Sequence, residues 1–299
     1  MSPYHTPVLL EESIAGLNIR PDGIYVDLTF GGGGHTRAIL SKLDKGRVIA
    51  FDQDEACLDN APDDKRFVFL QQNFRFLKNN LRYLGIQQVD GILADLGVSS
   101  HHFDYGERGF SFRADAELDM RMNKRKRKTA EEVLNRYTAL KLERVFRDYA
   151  EIRHPGRLVE LILEARENRM IRTTSDLIEI LKPMTHRGKT NKFLARIFQA
   201  LRIEVNEEIE ALKEMLEQTP EVTVRGGRLV VISYHSLEDR IVKTFMKTGF
   251  VTLREEDDPF GQNQTPFRMV NKKVITPTPG EVARNPRSRS AKLRIAERI

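Results

Sequence analysis

One stretch limits the folds open to this chain more than any other: Ile24-Tyr-Val-Asp-Leu-Thr-Phe-Gly-Gly-Gly-Gly-His-Thr36. The apolar, β-branched run from Ile24 to Phe30 predicts a buried strand, and a helical pattern starts near Thr36 with Ala38, Ile39 and Leu40. Between them stand four glycines, the residue type that takes φ > 0 readily and lets a ligand come close to the backbone. Strand, glycine turn and helix in this order open a nucleotide-binding βαβ unit. A second strand, Arg47 to Asp52, ends in an acid nineteen residues after Gly33, which suits a carboxylate gripping ribose hydroxyls.

A glycine turn alone does not say which nucleotide is bound. Asp27 lies inside the first strand, just ahead of the turn, where it would repel a dinucleotide pyrophosphate seated on the helix N-terminus. Two further strands end in acids, Ala50-Phe-Asp-Gln-Asp54 and Ile92-Leu-Ala-Asp95. Ligands of open α/β sheets bind outside the carboxyl ends of the strands. Three acidic strand ends with no lysine nearby suit a ligand that carries a ribose and positive charge. S-adenosylmethionine has both, with its sulfonium and its ammonium. A third strand, Arg66 to Gln71, is followed by Phe74, which is placed either to pack on an adenine or to fill the core. A nicotinamide-dependent dehydrogenase would share the glycine turn and Asp52; Asp27 argues against it.

Strands alternating with helices predict an α/β fold with a mostly parallel sheet. Thr6-Pro7 is expected to open a first helix, residues 75 to 85 another, and Gly91 to Ala94 a fourth strand. The alternation stops at 96. Residues 96 to 128 mix glycine, aromatics and charge without a period, and a loop of this length at the ligand side of a sheet reads as an active-site loop or lid. Residues 129 to 217 then read as helical throughout, opened by Thr129 and Glu132 as a capping box and closed by one long helix from Phe193 to Leu216. Arg228 to Ser233 returns to strand, and Ser236 with Asp239 is expected to cap the helix that follows. Phe250 to Arg254 and Lys273 to Ile275 are strand candidates ahead of a Pro/Gly/Arg-rich tail. The simplest organisation is an α/β domain in two parts, 1–113 and 216–299, interrupted by a helical insertion at 114–215 that reads as a substrate-recognition domain.

Charge points to the partner. The net charge is +6, but Lys124 to Lys128 are five consecutive bases, Lys182 to Arg202 hold six bases and no acid, and the segment from Arg284 holds six bases and one acid. Clustered cations of this kind mark a polyanion, most often nucleic acid, whose binding should weaken steeply with salt. No apolar run approaches the roughly 18 residues of a membrane span, the N-terminal residues lack a signal-peptide core, and a single cysteine, Cys57, excludes an internal disulfide and a cysteine-rich metal site. The expectation is a cytoplasmic protein with no membrane partner and no resident metal; a homo-oligomer stays open.

Several longer motifs carry a family resemblance. Asp27-Leu-Thr-Phe-Gly-Gly-Gly-Gly-His-Thr36, Asp95-Leu-Gly-Val-Ser-Ser100, Glu107-Arg-Gly-Phe-Ser-Phe112, Leu118-Asp-Met-Arg-Met122, Phe198-Gln-Ala-Leu-Arg-Ile203, Ser233-Tyr-His-Ser-Leu-Glu-Asp-Arg-Ile-Val242 and Asn285-Pro-Arg-Ser-Arg-Ser resemble the MraW/RsmH methyltransferases, over nearly the whole chain. The resemblance implies a Rossmann-like class I methyltransferase domain with an all-helical insert. It also implies transfer of a methyl group from S-adenosylmethionine to the exocyclic N4 of a cytidine in the decoding region of 16S ribosomal RNA, on naked RNA or on the assembled small subunit. Cofactor contacts then fall on Gly33, Gly34, His35, Asp52, Phe74, Asp95 and His102, the last a position that is often Gln in the family, with Asp27 added from the strand reading. Many amino-methyltransferases carry Asn/Asp/Ser-Pro-Pro-aromatic at the end of the fourth strand; here Asp95-Leu-Gly-Val stands there without the Pro-Pro pair. The catalytic candidates are Asp95, as donor-binding group or acceptor for the amine, and His235, as proton acceptor at the end of the fifth strand. Phe103, Tyr105, Phe110 and Phe112 are candidates to stack on a flipped base or to pack under the insert, and Arg108, Arg113 and Arg121 to hold phosphates. A non-catalytic RNA-binding or ribosome-assembly module with this fold, and a methyltransferase acting on DNA, are the competing readings.

Overall fold

The computed structural model describes residues 7–97, 108–185, 188–252 and 265–299. Among them β1 (Ile24–Asp27), β2 (Arg47–Asp52), β3 (Phe67–Gln71), β4 (Val89–Asp95), β5 (Thr223–Ser233), β6 (Phe267–Met269) and β7 (Lys292–Arg298) form one seven-stranded sheet in the order β3-β2-β1-β4-β5-β7-β6. The first five strands in that order are parallel. β7 runs antiparallel between β5 and β6. The chain divides into two compact units, residues 1–97 with 209–299, and residues 98–208.

The first unit carries the sheet and opens with α1 (Leu10–Leu17), α2 (Gly34–Leu40) and α3 (Leu77–Tyr83). The second unit is built from α4 (Ala130–Arg136), α5 (Ala139–Asp148), α6 (Gly156–Asn168), α7 (Thr174–Leu181) and α8 (Thr190–Asn206). The chain then runs through α9 (Glu208–Val222), α10 (Ser236–Thr248) and α11 (Pro279–Arg284). No helix among the described residues is long and apolar enough to cross a membrane.

Alternation along the strands explains why helices cover both faces. Tyr25, Val48, Leu93, Val230 and Ile232 share one buried cluster with Leu17, Ile39 and Leu40 of α1 and α2. Their neighbours Val26, Ile49, Ile92, Leu229 and Val231 point the other way and are buried as well. A sheet buried on both faces needs near-continuous apolar strands, which is what β1, β2, β4 and β5 supply. On the second face Arg294 of β7 meets Asp239 of α10 at 2.7 Å. The register sets the heights of the acids: Asp27 lies opposite Ala50 and Leu93, so Asp52 and Asp95 each reach two residues further toward the carboxyl edge.

Several expected elements differ. The first helix starts at Leu10, not at Thr6-Pro7; Leu9 is its N-cap, in the left-handed region at φ 51°, with no side-chain cap. The long helix expected over 193–216 is two, because Glu207 takes φ 56° and breaks the ladder between α8 and α9. Pro220 lies inside α9, and β5 starts at Thr223, ahead of Gly226-Gly227. Phe250 to Val251 form no strand, and of Lys273 to Ile275 only Ile275 bridges, to Leu293. The tail contains β7, whose Leu293 and Ile295 alternate with Arg294 in a strand pattern hidden under its basic residues.

In the second unit the expected apolar faces are buried: Val133, Leu134 and Phe146, Leu158 and Ile162, Leu177 and Leu181, and Leu194, Ile197 and Leu201. Thr129 caps α4 by accepting from Glu132 N at 3.1 Å. Residues 108–128 are irregular, and Asn206 ties them to the end of α8. Its Nδ2 donates to Met120 O at 2.8 Å, and its Oδ1 accepts from Met122 N at 2.8 Å.

Candidate active site

The site grows from the turn after β1. Gly31 and Gly33 take φ 50° and 73°, a region L side chains adopt at a cost. Arg37 of α2 locks the turn, donating from Nη1 to Gly32 O and from Nη2 to Asn60 O, each at 2.6 Å. At Gly34 a Cβ would lie 2.5 Å from Pro7 Cγ, so the chain ahead of α1 is seated directly on the turn. Gly34→Ala is expected to destabilise the protein by about 1–3 kcal/mol through overpacking, read as a lowered urea midpoint with an unchanged slope.

Asp52 stands at the tip of β2, its Oδ2 accepting from Gly31 N and its Oδ1 from Asp54 N, both at 2.9 Å. Burial, followed by the charge of Asp52 and a hydrogen bond to it, pushes the Cys57 thiol far above its usual range, so it is a neutral packing group.

Asp27 is 1% exposed. Its Oδ1 accepts from Thr29 N at 3.1 Å and its Oδ2 from Thr36 Oγ1 at 2.7 Å, so it braces β1 against α2. Burial raises its carboxyl above the ordinary range, against the opposing effects of His35 and of the Thr36 and Thr29 hydrogen bonds. Thr29 also accepts from Asp95 N at 2.7 Å, which fixes the end of β4 beside the turn.

His35, in the first turn of α2, is 5% exposed. Its Nε2 lies 3.2 Å from Val8 O. A carbonyl only accepts, so Nε2 carries the hydrogen and Nδ1 faces Asp95 Oδ2 at 4.0 Å.

Asp95 ends β4 with its side chain 17% exposed, against 6% for that of His35. Its Oδ1 accepts from Gly97 N at 3.3 Å, and the Tyr234 phenol lies close enough to the carboxylate to feel its charge. Tyr234 comes from the end of β5, the strand beside β4, and its ring covers Gly97, where a Cβ would lie 2.8 Å from ring carbon Cε2. Burial, then the charge and hydrogen bond of Asp95, hold the Tyr234 phenol well above its ordinary range, so it is a neutral donor.

His235 has a local task. It is the N-cap of α10, a place expected for Ser236, and it forms a capping box with Glu238 rather than Asp239. Its Nδ1 accepts from Glu238 N at 3.4 Å, so in the neutral ring Nε2 carries the hydrogen. Nε2 lies 2.9 Å from Glu238 Oε1, yet the direction of its N–H does not make this a hydrogen bond. Phe74 is half-buried and opens a 3₁₀ turn at the end of β3, set by Asn73 Oδ1 accepting from Arg75 N at 2.9 Å. His102, with Phe103 and Tyr105, lies outside the described residues. Of the other aromatic candidates, Phe110 is buried beneath Arg108 and Phe112 packs edge-on against Phe198, so both rings are engaged in the second unit.

The structure thus joins Asp27, the glycine turn, His35, Asp52, Asp95 and Tyr234 in one net at the carboxyl ends of β1, β2, β4 and β5. Tyr234 is the member that sequence reasoning missed; its signal was its place directly after the last residue of a central strand. A parallel sheet with one antiparallel strand inserted near its edge, a glycine turn after β1 and an acid closing β2 define a Rossmann-like class I methyltransferase domain. The sequence model of the MraW methylase family matches residues 2–299, and the chain belongs to that family. It is 58% identical to the ribosomal RNA small subunit methyltransferase H of Parabacteroides distasonis, over 100% of this chain and 98% of the relative. The proteins of the same name from Bacteroides thetaiotaomicron and Flavobacterium johnsoniae are 58% and 54% identical, over 99% of this chain and 97% and 98% of theirs.

Proposed function

We propose that the chain is an S-adenosylmethionine-dependent methyltransferase of small-subunit ribosomal RNA that modifies the exocyclic N4 of a cytidine in the decoding region. The observation that carries this reading is the net from the glycine turn to Asp95 and Tyr234. It gathers acids where a class I domain takes its nucleotide, and it has no base among its strand ends. That donor set fits a ligand with a ribose diol and a positive charge. The relatives' names supply the RNA, and the family resemblance supplies the N4 atom.

When bound, S-adenosylmethionine supplies a methyl group on a positively charged sulfur. Asp52, held at the lip of β2 by two backbone N–H groups, would grip the ribose hydroxyls. Phe74 would pack on the adenine; His102, the remaining residue to which the resemblance gives a cofactor contact, lies outside the described residues. Gly33, Gly34 and His35 form the wall, and Asp27 keeps that wall in place from behind. The cytosine N4 lone pair is delocalised into the ring, so the amine needs placement, worth on the order of 7 kcal/mol in favourable cases, and an acceptor for its proton. Asp95 is that acceptor: its carboxylate is partly open, the Gly97 N–H holds one of its oxygens, and the Tyr234 phenol lies beside it. His235, with Nδ1 engaged, orients α10 and presents an N–H rather than a lone pair.

Residues 98–208 serve as the substrate-recognition unit. Arg121 pairs with Asp119 at 2.7 Å and Arg202 with Glu208 at 2.8 Å, and Arg196 donates to Ala150 O at 2.6 Å, so these three are structural. Lys124, Arg127, Lys189 and Lys192 are exposed and are the groups assigned to RNA phosphates. The target base must be single-stranded or flipped out. A small-subunit RNA substrate places the protein in the cytoplasm.

The test offers methyl-labelled donor with unmodified naked small-subunit RNA, assembled small subunits, and DNA. The expected result is labelled N4-methylcytidine from RNA, with the yield on naked RNA falling steeply between low and moderate salt. Label in DNA alone, or none in either form of RNA while the donor binds, would overturn the reading.

A further inference from the structure

The chain ahead of α1 has an unusual local geometry that no element near it in sequence explains. Val8 and Leu9 are buried, and Leu9 sits in the left-handed region at φ 51°. A leucine stays there only when its surroundings over-determine it. The determining contact comes from the other end of the chain: Glu281 Oε1 accepts from Leu9 N at 2.8 Å. Glu281 is itself aimed by the first turn of α11, where Thr278 Oγ1 accepts from Glu281 N at 3.2 Å. The same turn touches the active site twice on its other side. Val8 O accepts from His35 Nε2 at 3.2 Å, and Pro7 fills the space a side chain at Gly34 would need.

We propose that Glu281 is a positioning residue for the methyl-donor site: by holding Leu9 N–H it keeps the Pro7–Leu9 turn pressed on α2, and that turn fixes the His35 ring through the Val8 carbonyl. The inference rests on the reading of this pocket as an S-adenosylmethionine site and names a residue of that site outside its known motifs. Glu281 touches neither His35 nor the glycine turn in its own right. Its hold on His35 runs through two backbone groups of one strained turn, while its charge also acts on the Tyr234 phenol, which is why the test separates reach from charge. Without it, Leu9 relaxes toward φ < 0, the Val8 carbonyl swings, and His35 loses the contact that sets its tautomer beside Asp95.

The test uses the full chain and separates reach from charge. Glu281→Gln keeps an oxygen at the same distance, whereas Glu281→Asp keeps the charge and withdraws it by one methylene. Calorimetric titration with S-adenosylmethionine is expected to give Glu281→Gln within about twofold of wild type, and Glu281→Asp and Glu281→Ala weaker by about fivefold to tenfold. In a His35→Ala background the Glu281→Ala loss should shrink to less than about twofold, because the two act in series. Nitrogen-15 spectra of the unliganded protein report the same chain of contacts: the His35 ring signal should move in Glu281→Asp and stay in Glu281→Gln. The proposal is overturned if Glu281→Asp binds like wild type, if Glu281→Gln is as weak as Glu281→Asp, or if the Glu281→Ala loss persists undiminished without His35. Wild-type protein that binds no S-adenosylmethionine would instead overturn the pocket assignment, and is distinguishable because it precedes any comparison of variants.

Discussion

Asp95→Asn is expected to lower kcat by about 10²–10⁴-fold, the span a lost general base commands, while the affinity for S-adenosylmethionine falls by less than about tenfold. Asparagine has nearly the same shape, so Oδ1 still accepts from Gly97 N and the end of β4 stays pinned by Thr29. What is lost is chemical. An amide cannot take a proton from the cytosine amine, whereas the neutral Tyr234 hydroxyl can accept from its NH₂ as readily as it donates to the carboxylate. The two roles assigned to Asp95 therefore separate in one experiment. Single-turnover rates with bound donor report proton acceptance, and calorimetry of the donor reports binding. A loss confined to donor affinity would assign Asp95 to the cofactor alone. Near-normal turnover together with unchanged donor affinity in Asp95→Ala would remove it from both roles.

What was legible in the sequence was local. The strand, the glycine turn and the helix after it are contiguous, and glycine at 31 and 33 is a direct consequence of positive φ at those positions. Asp52 and Asp95 were legible because an acid closing an apolar run can sit only at the strand's carboxyl edge. Tyr234 was not, because an aromatic beside a strand reads equally well as core; its hydroxyl reaches Asp95 only once β4 and β5 pair. The contact between Leu9 and Glu281 spans 272 positions and leaves no periodic trace. The break at Glu207 was invisible for a different reason: the left-handed position is normally announced by glycine or asparagine, and here a glutamate occupies it. Likewise His235 took the N-cap from Ser236 because the Glu238 carboxylate, three residues on, closes the box with it.

The largest misreading, the basic tail, yields the other strong expectation: Arg294→Ala should cost about 2–4 kcal/mol, although five residues before it the exposed Arg289 sits in the same basic run. Arg294 and Asp239 are 8% and 13% exposed, and Nε meets Oδ1 at 2.7 Å. Removing the guanidinium leaves the Asp239 carboxylate on a covered face of the sheet with Lys292, 3.3 Å away, as its remaining cation, which places the loss below that of a fully orphaned charge. It also loosens β7, the strand that joins β6 to β5. The expected drop in melting temperature is on the order of 5–10 °C, while Arg289→Ala, at an exposed position, should stay within about 0.5 kcal/mol of wild type. The pH dependence supplies a sharper check. Burial would raise the Asp239 carboxyl, but the hydrogen bond and charge of Arg294, then of Lys292, outweigh it and hold the group below its ordinary range. A depressed carboxyl adds stability that is complete above the unfolded value, about pH 4, and is lost as pH falls through the lower folded value. The gap between wild type and Arg294→Ala should therefore be flat from pH 6 to 8, in the neutral range roughly two or more units above the ordinary carboxylate value, and should narrow only below about pH 4. A gap that stayed constant down through the acid range would mean that the arginine stabilises β7 through packing alone.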